Sequence, residues 1–314
     1  MRGRVDARPS EFEKMKILIS GASGLVGAAL RSAVRAEGHT TAKLVRPGGH
    51  ASEGDVRWDP SSAMIDIAAM EGADAVVHLS GASIADGRWT PARKALLRSS
   101  RVDSTRLLVD ALARLRQKPR VLICASATGY YGNRGDDVLI ESSEAGTDFL
   151  ALLARDWEGE AMRARAAGIR TVLLRFGVVL DAQGGALPKM LLPFRFGAGG
   201  RIGTGRQWMP WITLEDAVRI ARAAIAEDCY SGAVNAVAPN PVRNAEFTRI
   251  VARVLHRPAI FAAPAFALRA VLGEMAQPLL LASTRAIPKR LAELGYAFQF
   301  AEIEAALRAI LNRK

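Results

Sequence analysis

Apolar residues along the first half of the chain fall into short continuous runs, separated by stretches where they recur every three or four positions. "KILIS" (16–20) reads as a buried strand, and residues 25–37 as an amphipathic helix stopped by Gly38. "TTAKLV" predicts a second strand closed by Pro47, and "DAVVHLSG" a further strand beginning near Asp74. Thr90 followed by Pro91 is a helix start signal, and that helical pattern runs to about Gln117 with a break near Ser99–Ser100. "RVLICASA" is the next strand, 148–167 a helix stopped by Gly168, and "RTVLLRFGVVL" another strand. Strands this apolar, with helices between them, predict an α/β protein whose doubly wound parallel sheet is covered on both faces.

After Leu180 the rhythm loosens. Residues 181–212 are rich in glycine and aromatics and read as a binding loop with short strands inserted in the main body. Thr213 then caps a helix, "LEDAVRIARAAIAED", and "GAVNAVAPNPV" gives a last strand and a rigid turn at Pro239–Asn240–Pro241. From Asn244 the pattern is helical, interrupted by Pro258, Pro264, Pro278 and Pro288. The organisation expected is a flexible tail over 1–14, a nucleotide-binding body over 15–238, and a small mainly helical lid over 239–314.

Composition narrows the function classes. With 314 residues and 50% hydrophobic content the chain can bury a full core, yet no apolar run reaches the ~18–20 residues that span a bilayer. The net charge of +12 comes from scattered, mostly arginine residues with few interleaved aromatics, which argues against a nucleic-acid partner and fits an anionic ligand. Cys124 and Cys229 lack metal or disulfide spacing, and the first fourteen residues lack a signal-peptide core, so a cytoplasmic location is expected, with Met15 as an alternative start. A small-molecule substrate is the expected partner, no membrane is, and a homodimer stays open.

The first strand ends in Gly21, Gly24 and Gly27 and leads directly into a helix. Gly21 suits the tight turn, Gly24 lets the backbone approach a diphosphate, and Gly27 lets the helix pack on the strand. The free N–H groups of the helix start favour the anion. Ser23, Leu25 and Val26 lie in the same turn, and Leu79, Ser80 and Gly81, ending the "DAVVHLSG" strand, complete the expected cofactor set. NAD sites usually place an acid at the end of the second strand; this chain has Arg46, which suits the 2′-phosphate of NADP. NADP is therefore expected over NAD, the alternative being that Arg46 is one more surface arginine.

The glycine spacing is one residue longer than the usual Rossmann fingerprint and resembles the extended short-chain dehydrogenase/reductase superfamily. "RWDP", "DAVVHLSGASIADGRWT", "SRVDSTRLL", "SATGYYG", "RDWEGEA", "LRFGVVL", "GRQWMPWITLEDA" and "NAVAPNPVRNAEFT" resemble its atypical epimerase-like branch. Members are labelled nucleoside-diphosphate-sugar epimerases or SulA-like cell-division inhibitors. "RPAIFAAPAFALRAVLGEMA" and "PKRLAELGYAFQF" resemble that branch's extra C-terminal domain. The resemblance implies a Rossmann-type fold with a substrate site over the strand ends. It also implies a Tyr-x-x-x-Lys pair, and none exists: no tyrosine has a lysine four places on, and Leu150 and Ala154 stand at the corresponding helix positions.

Other groups offer chemistry. Ser126 matches the superfamily serine, with Thr128 the alternative hydroxyl, and Arg101 stands where the superfamily has asparagine. Tyr131 or Tyr130, aided by Arg101 or Arg134, is a candidate replacement acid/base; alternatively one tyrosine packs under the nicotinamide and the other is a surface residue. In the loop, Arg206 suits an anionic group, Gln207 a hydrogen bond, and Trp208 or Trp211 a stacked ring, against a role for both tryptophans as loop anchors. His78 reads as structural, Cys124 as an inert core thiol, and Asp216 as a complement to its helix dipole. Two functions follow as expectations: an NADP-dependent epimerase or oxidoreductase acting on a carbonyl or nucleotide-sugar-like substrate, or a catalytically silent NADP-binding regulator linked to cell division.

Overall fold

The computed structural model describes residues 14–312, so the expectation of a tail over 1–14 lies outside the described residues except at Lys14. Its centre is an eight-stranded sheet. In spatial order the strands are Gly232–Ala236, Arg170–Phe176, Val121–Ala127, Ala75–His78, Lys16–Ser20, Thr40–Val45, Val56–Asp59 and Met64–Ile65. Every neighbouring pair is parallel except the last. Strand order reverses between Lys16–Ser20 and Ala75–His78, and that reversal opens a crevice at the carboxyl ends of the strands.

Alternation of side chains explains why both faces are apolar. Ile17, Ile19, Val77 and Ile123 point to one face, under the helices Leu25–Ala36 and Leu214–Ala226. Leu18, Val76 and Leu122 point to the other, under the helix Ser104–Arg114. The predicted helix caps form as read: Thr90 Oγ1 accepts from Arg93 N at 3.2 Å, and Thr213 Oγ1 accepts from Asp216 N at 3.1 Å.

The break expected near Ser99–Ser100 is a wider π turn, Ser99–Asp103, joining Pro91–Arg98 to Ser104–Arg114, and the helical region ends at Arg114 rather than about Gln117. Two local expectations need correction. The loop over 181–212 contains a helix, Leu187–Arg195, which carries Pro188 in its first turn and tolerates Pro193 inside it. Asp216 does more than offset a helix dipole. It is fully buried and accepts from Gln299 N at 2.9 Å and Phe300 N at 3.1 Å, tying the C-terminal segment to its helix.

His78 has the structural role expected of it, in a relay beneath the crevice. Ser20 Oγ accepts from Leu79 N at 3.1 Å and Ser80 N at 3.3 Å, so it donates to His78 Nδ1 at 2.6 Å. His78 Nε2 then donates to Thr105 Oγ1 at 3.0 Å, which in turn donates to the Arg101 carbonyl at 2.5 Å. The ring is neutral, and burial pushes its pKa down to about 4.

Two measurements test this frame. Between about pH 6.5 and pH 4 the unfolded chain takes up a proton at His78 that the folded chain refuses, so stability is complete above that window and falls as pH drops through it. The expected loss is on the order of 3 kcal/mol, and it disappears from urea titrations of His78→Asn. At Gly27 an added Cβ would lie 2.2 Å from the Gly21 carbonyl oxygen, a clash with backbone that cannot swing aside. Gly27→Ala is therefore expected to lose about 3 kcal/mol or more, read from the same urea midpoint.

Candidate cofactor and substrate site

The glycine turn has the shape a dinucleotide requires. Gly21 adopts φ +68°, and a Cβ on it would meet the Leu79 carbonyl carbon and oxygen at 2.8 Å. Gly24 is exposed and caps the helix Leu25–Ala36 without a side-chain hydrogen bond, leaving the first N–H groups of the helix without a side-chain partner. A Cβ on Gly24 would crowd the Gly21 oxygen, at 3.3 Å, and meet nothing else within 4 Å, so the space in front of it is open. Ser23 is exposed, while Leu25 and Val26 are half-buried in the same turn. Leu79 and Ser80 are half-buried across from it, and Gly81 is exposed.

Arg46 follows the strand Thr40–Val45, exposed and with no ion pair among the described residues. The turn that follows it, closed by Gly49 N donating to the Arg46 carbonyl at 3.0 Å, contains no acid. A nicotinamide dinucleotide thus fits the cradle, and the free guanidinium fits a phosphate better than a ribose hydroxyl pair.

At the carboxyl end of Val121–Ala127 the polar residues are organised by an ion pair that the sequence reading missed. Arg175 and Glu158, 3% and 7% exposed, form a two-pronged contact at 2.8 Å on each prong. Ser126 Oγ donates to Glu158 Oε1 at 2.6 Å. Arg175 Nη1 donates to Tyr131 Oη at 2.9 Å and to the Glu141 carbonyl at 3.0 Å. Tyr131 Oη donates to Asn235 Oδ1 at 2.6 Å, and Asn235 Nδ2 reaches the Ile287 carbonyl at 2.9 Å.

Tyr131 is fully buried, and burial pushes its phenol up to about 12, away from the range of an acid/base group. The expected helper is also corrected: Arg175 contacts Tyr131, whereas Arg134 bonds the Glu144 carbonyl and Arg101 lies against Gly81. Nor is either tyrosine a surface residue. Tyr130 is half-buried, packs edge-on against Tyr131 with ring centroids 5.4 Å apart, and carries the Arg175 guanidinium 3.5 Å above its ring. Its hydroxyl has no hydrogen bond to any described residue. Thr128, 8% exposed, also leaves its hydroxyl without one. Leu150 and Ala154, at the missing pair's helix positions, are both buried, and Leu150 packs toward Gly129.

The loop residues divide. Arg206 and Gln207 line a cavity of about 700 Å³ with Asp136, Arg243, Arg269 and Ser283. Gln207 Nε2 is held by the Ile202 and Leu280 carbonyls at 3.1 and 3.0 Å. Trp208 donates to Asp136 at 2.8 Å and has Arg243 and Arg285 over its ring, at 4.5 and 4.6 Å. Trp211 is buried in the core and donates to the Asn240 carbonyl at 2.9 Å, so it anchors the loop and is not available to stack a substrate ring. Cys124 is buried, and burial pushes its thiol up, away from reactivity. No helix among the described residues is long and apolar enough to cross a membrane.

Comparisons with known proteins agree with this geometry. Residues 17–236 match the NAD dependent epimerase/dehydratase family, and residues 263–310 match a domain of unknown function, DUF1731. The chain is 45% identical over 291 residues to the epimerase family protein Mb2239 of Mycobacterium bovis, covering 93% of this chain and 96% of that one. It is 34% identical over 300 residues to human epimerase family protein SDR39U1, covering 95% and 100%. The structure of human SDR39U1 isoform 2 with NADPH superposes with a TM-score of 0.85 at 32% identity, over 96% of this chain and 100% of that one. A nucleoside-diphosphate sugar epimerase from Corynebacterium glutamicum gives 0.79 at 35%, over 96% of this chain but 59% of that longer one. A parallel sheet reversing beside a glycine turn, with these relatives along nearly its whole length, places the chain in the NAD dependent epimerase/dehydratase family, as an atypical extended short-chain dehydrogenase/reductase.

Proposed function

We propose that the chain binds NADP(H) at the glycine turn and performs hydride chemistry on an anionic carbonyl or nucleotide-sugar-like substrate. The observation that carries the substrate reading is the charge of the cavity: Arg206, Arg243 and Arg269 line it against one carboxylate, Asp136, which is already held by Arg243 at 3.0 Å and by Trp208. Arg206 has no ion pair among the described residues, so a guanidinium is left for a phosphate or carboxylate. The relative with NADPH supports the choice of cofactor, as does Arg46.

NADPH, once bound, supplies a hydride to the substrate's carbonyl carbon. The carbonyl oxygen then needs a proton, and at this strand end Tyr130, unlike Tyr131, has an unengaged hydroxyl; its Oη donates, while Thr128 Oγ1 orients the same oxygen. Tyr131, Ser126 and Glu158 act as positioning residues, because their polar atoms are consumed by one another and by Arg175. Gln207 lines the cavity with its amide held by backbone carbonyls, and Trp208 acts behind the wall by holding Asp136. A second reading, binding without turnover, is favoured by Leu150 and Ala154, neither of which can move a proton.

Calorimetry with NADPH and NADH tests the cofactor. Arg46→Ser is expected to weaken NADPH about tenfold or more while leaving NADH unchanged, and a wild-type preference for NADH overturns the assignment. Oxidation of NADPH across aldehydes, ketones and nucleotide-sugars separates enzyme from silent binder. Where turnover is found, Tyr130→Phe is expected to lower kcat about 100-fold with NADPH affinity intact. Tyr131→Phe is expected instead to cost about 1–3 kcal/mol of stability, since Asn235 and Arg175 lose a buried partner. Full activity of Tyr130→Phe removes the proposed proton donor.

A further inference from the structure

Arg175 shows how this fold treats a buried guanidinium: a carboxylate holds it on two prongs. Arg101 is also buried, at 8% exposed, and has no carboxylate partner among the described residues. Its hydrogen bonds are two long ones from Nη1, to the Leu97 carbonyl at 3.4 Å and to Ser100 Oγ at 3.5 Å. One side of the guanidinium has the Trp157 ring at 5.4 Å. On another it lies against exposed Gly81, where an added Cβ would sit 3.0 Å from Cζ, 3.1 Å from Nη2 and 3.4 Å from Nε. The nitrogens nearest Gly81, Nε and Nη2, donate to no described residue.

The charged neighbour is a second arginine. Arg93 donates from Nη2 to the Ser83 carbonyl, its buried Nε has no partner, and it belongs to no ion pair among the described residues. Burial first, and repulsion from Arg93 second, pull the Arg101 pKa down to about 10, so it remains a cation at neutral pH. Arg101 is a buried residue of the π turn Ser99–Asp103, and such local widenings recur at functional sites. An unpaired buried cation is costly to a fold unless an anion arrives to meet it.

We infer that Arg101, backed by Arg93, is a binding site for an oxyanion, a phosphate or carboxylate group seated over Gly81 at the end of the strand Ala75–His78. Two sources share that chemistry: the diphosphate of the cofactor and an acidic group of the substrate. The assignment to the cofactor rests on the NADP(H) reading above; the anion site itself does not, because inorganic phosphate probes it directly.

The test uses the full chain and two titrations followed by tryptophan fluorescence, with Trp157→Phe identifying the signal that arises beneath the guanidinium. Inorganic phosphate is expected to bind the wild type, at least tenfold more weakly Arg101→Gln, and with intermediate strength Arg101→Lys, which keeps the charge without the fork. NADPH then separates the sources. A tenfold or greater loss of NADPH affinity in Arg101→Gln, with phosphate competing against NADPH in the wild type, assigns the cofactor's diphosphate. Unchanged NADPH affinity, with phosphate still binding the NADPH-saturated protein through Arg101, assigns a substrate anion. If neither phosphate nor NADPH affinity changes in Arg101→Gln, the site is overturned. Should that variant fail to fold, Arg101→Lys and Arg93→Gln decide: both weaken phosphate if the inference holds, and equal affinity in both sinks it. A wild type that binds phosphate through Arg101 but not NADPH removes the cofactor reading alone.

Discussion

The Arg175–Glu158 pair is the contact on which the site's geometry depends. Two charges taken out of water are expensive, and the arrangement is sustained because nearly every donor and acceptor around them is used. Glu158 takes both prongs of Arg175 and the Ser126 hydroxyl; Arg175 also reaches Tyr131 and the Glu141 carbonyl. The pair ties the helix Phe149–Met162 to the strands Val121–Ala127 and Arg170–Phe176. Through Tyr131 and Asn235 the same network reaches Ile287 in the C-terminal region. Glu141 adds a second tie there, accepting from Asn235 N at 3.0 Å and Arg290 N at 3.2 Å. Body and C-terminal segment are thus joined by polar contacts at the place where the strands end.

That network also redistributes the chemistry. A serine and a tyrosine at a strand end invite an acid/base assignment, but Ser126 and Tyr131 have spent their hydroxyls on structure. Hydroxyls still free for a ligand belong to their neighbours Thr128 and Tyr130. The shift is small in sequence and large in chemistry. A superfamily pattern transferred by position names the network residues, whereas hydrogen-bond accounting names the ones beside them.

The first βα unit was fully legible, because glycine spacing, an apolar strand and an apolar helix are local signals that agree. The helix start at Thr90, the stop at Gly168 and the structural character of His78 were readable for the same reason. The strand Val56–Asp59 was not: at four residues, with Arg57 and Trp58 in it, it has too short a pattern to count. The helix Leu187–Arg195 was masked by Pro188, Pro193 and the glycines around it. The Tyr131–Asn235 bond joins residues 104 positions apart, and no local pattern reports such a contact. Arg175 did leave a signal. A lone charge inside "VLLRFG", a strand otherwise built for burial, requires a counter-charge, and Glu158 on the apolar face of "ARDWEGEA" was available to supply it.

The same accounting gives meaning to the net charge of +12, which composition alone could only call basic. Most arginines that form an ion pair lie on the surface, such as Arg106 with Glu160 or Arg163 with Asp110, and surface pairs contribute little. Arg46, Arg206 and Arg101 are among the arginines with no ion pair to a described residue, and each has a distinct setting. Arg46 ends the second strand, Arg101 faces Gly81, and Arg206 lines the cavity under the C-terminal segment. Of the three only Arg101 is buried, so its uncompensated charge costs the fold most, whereas water already solvates Arg46 and Arg206.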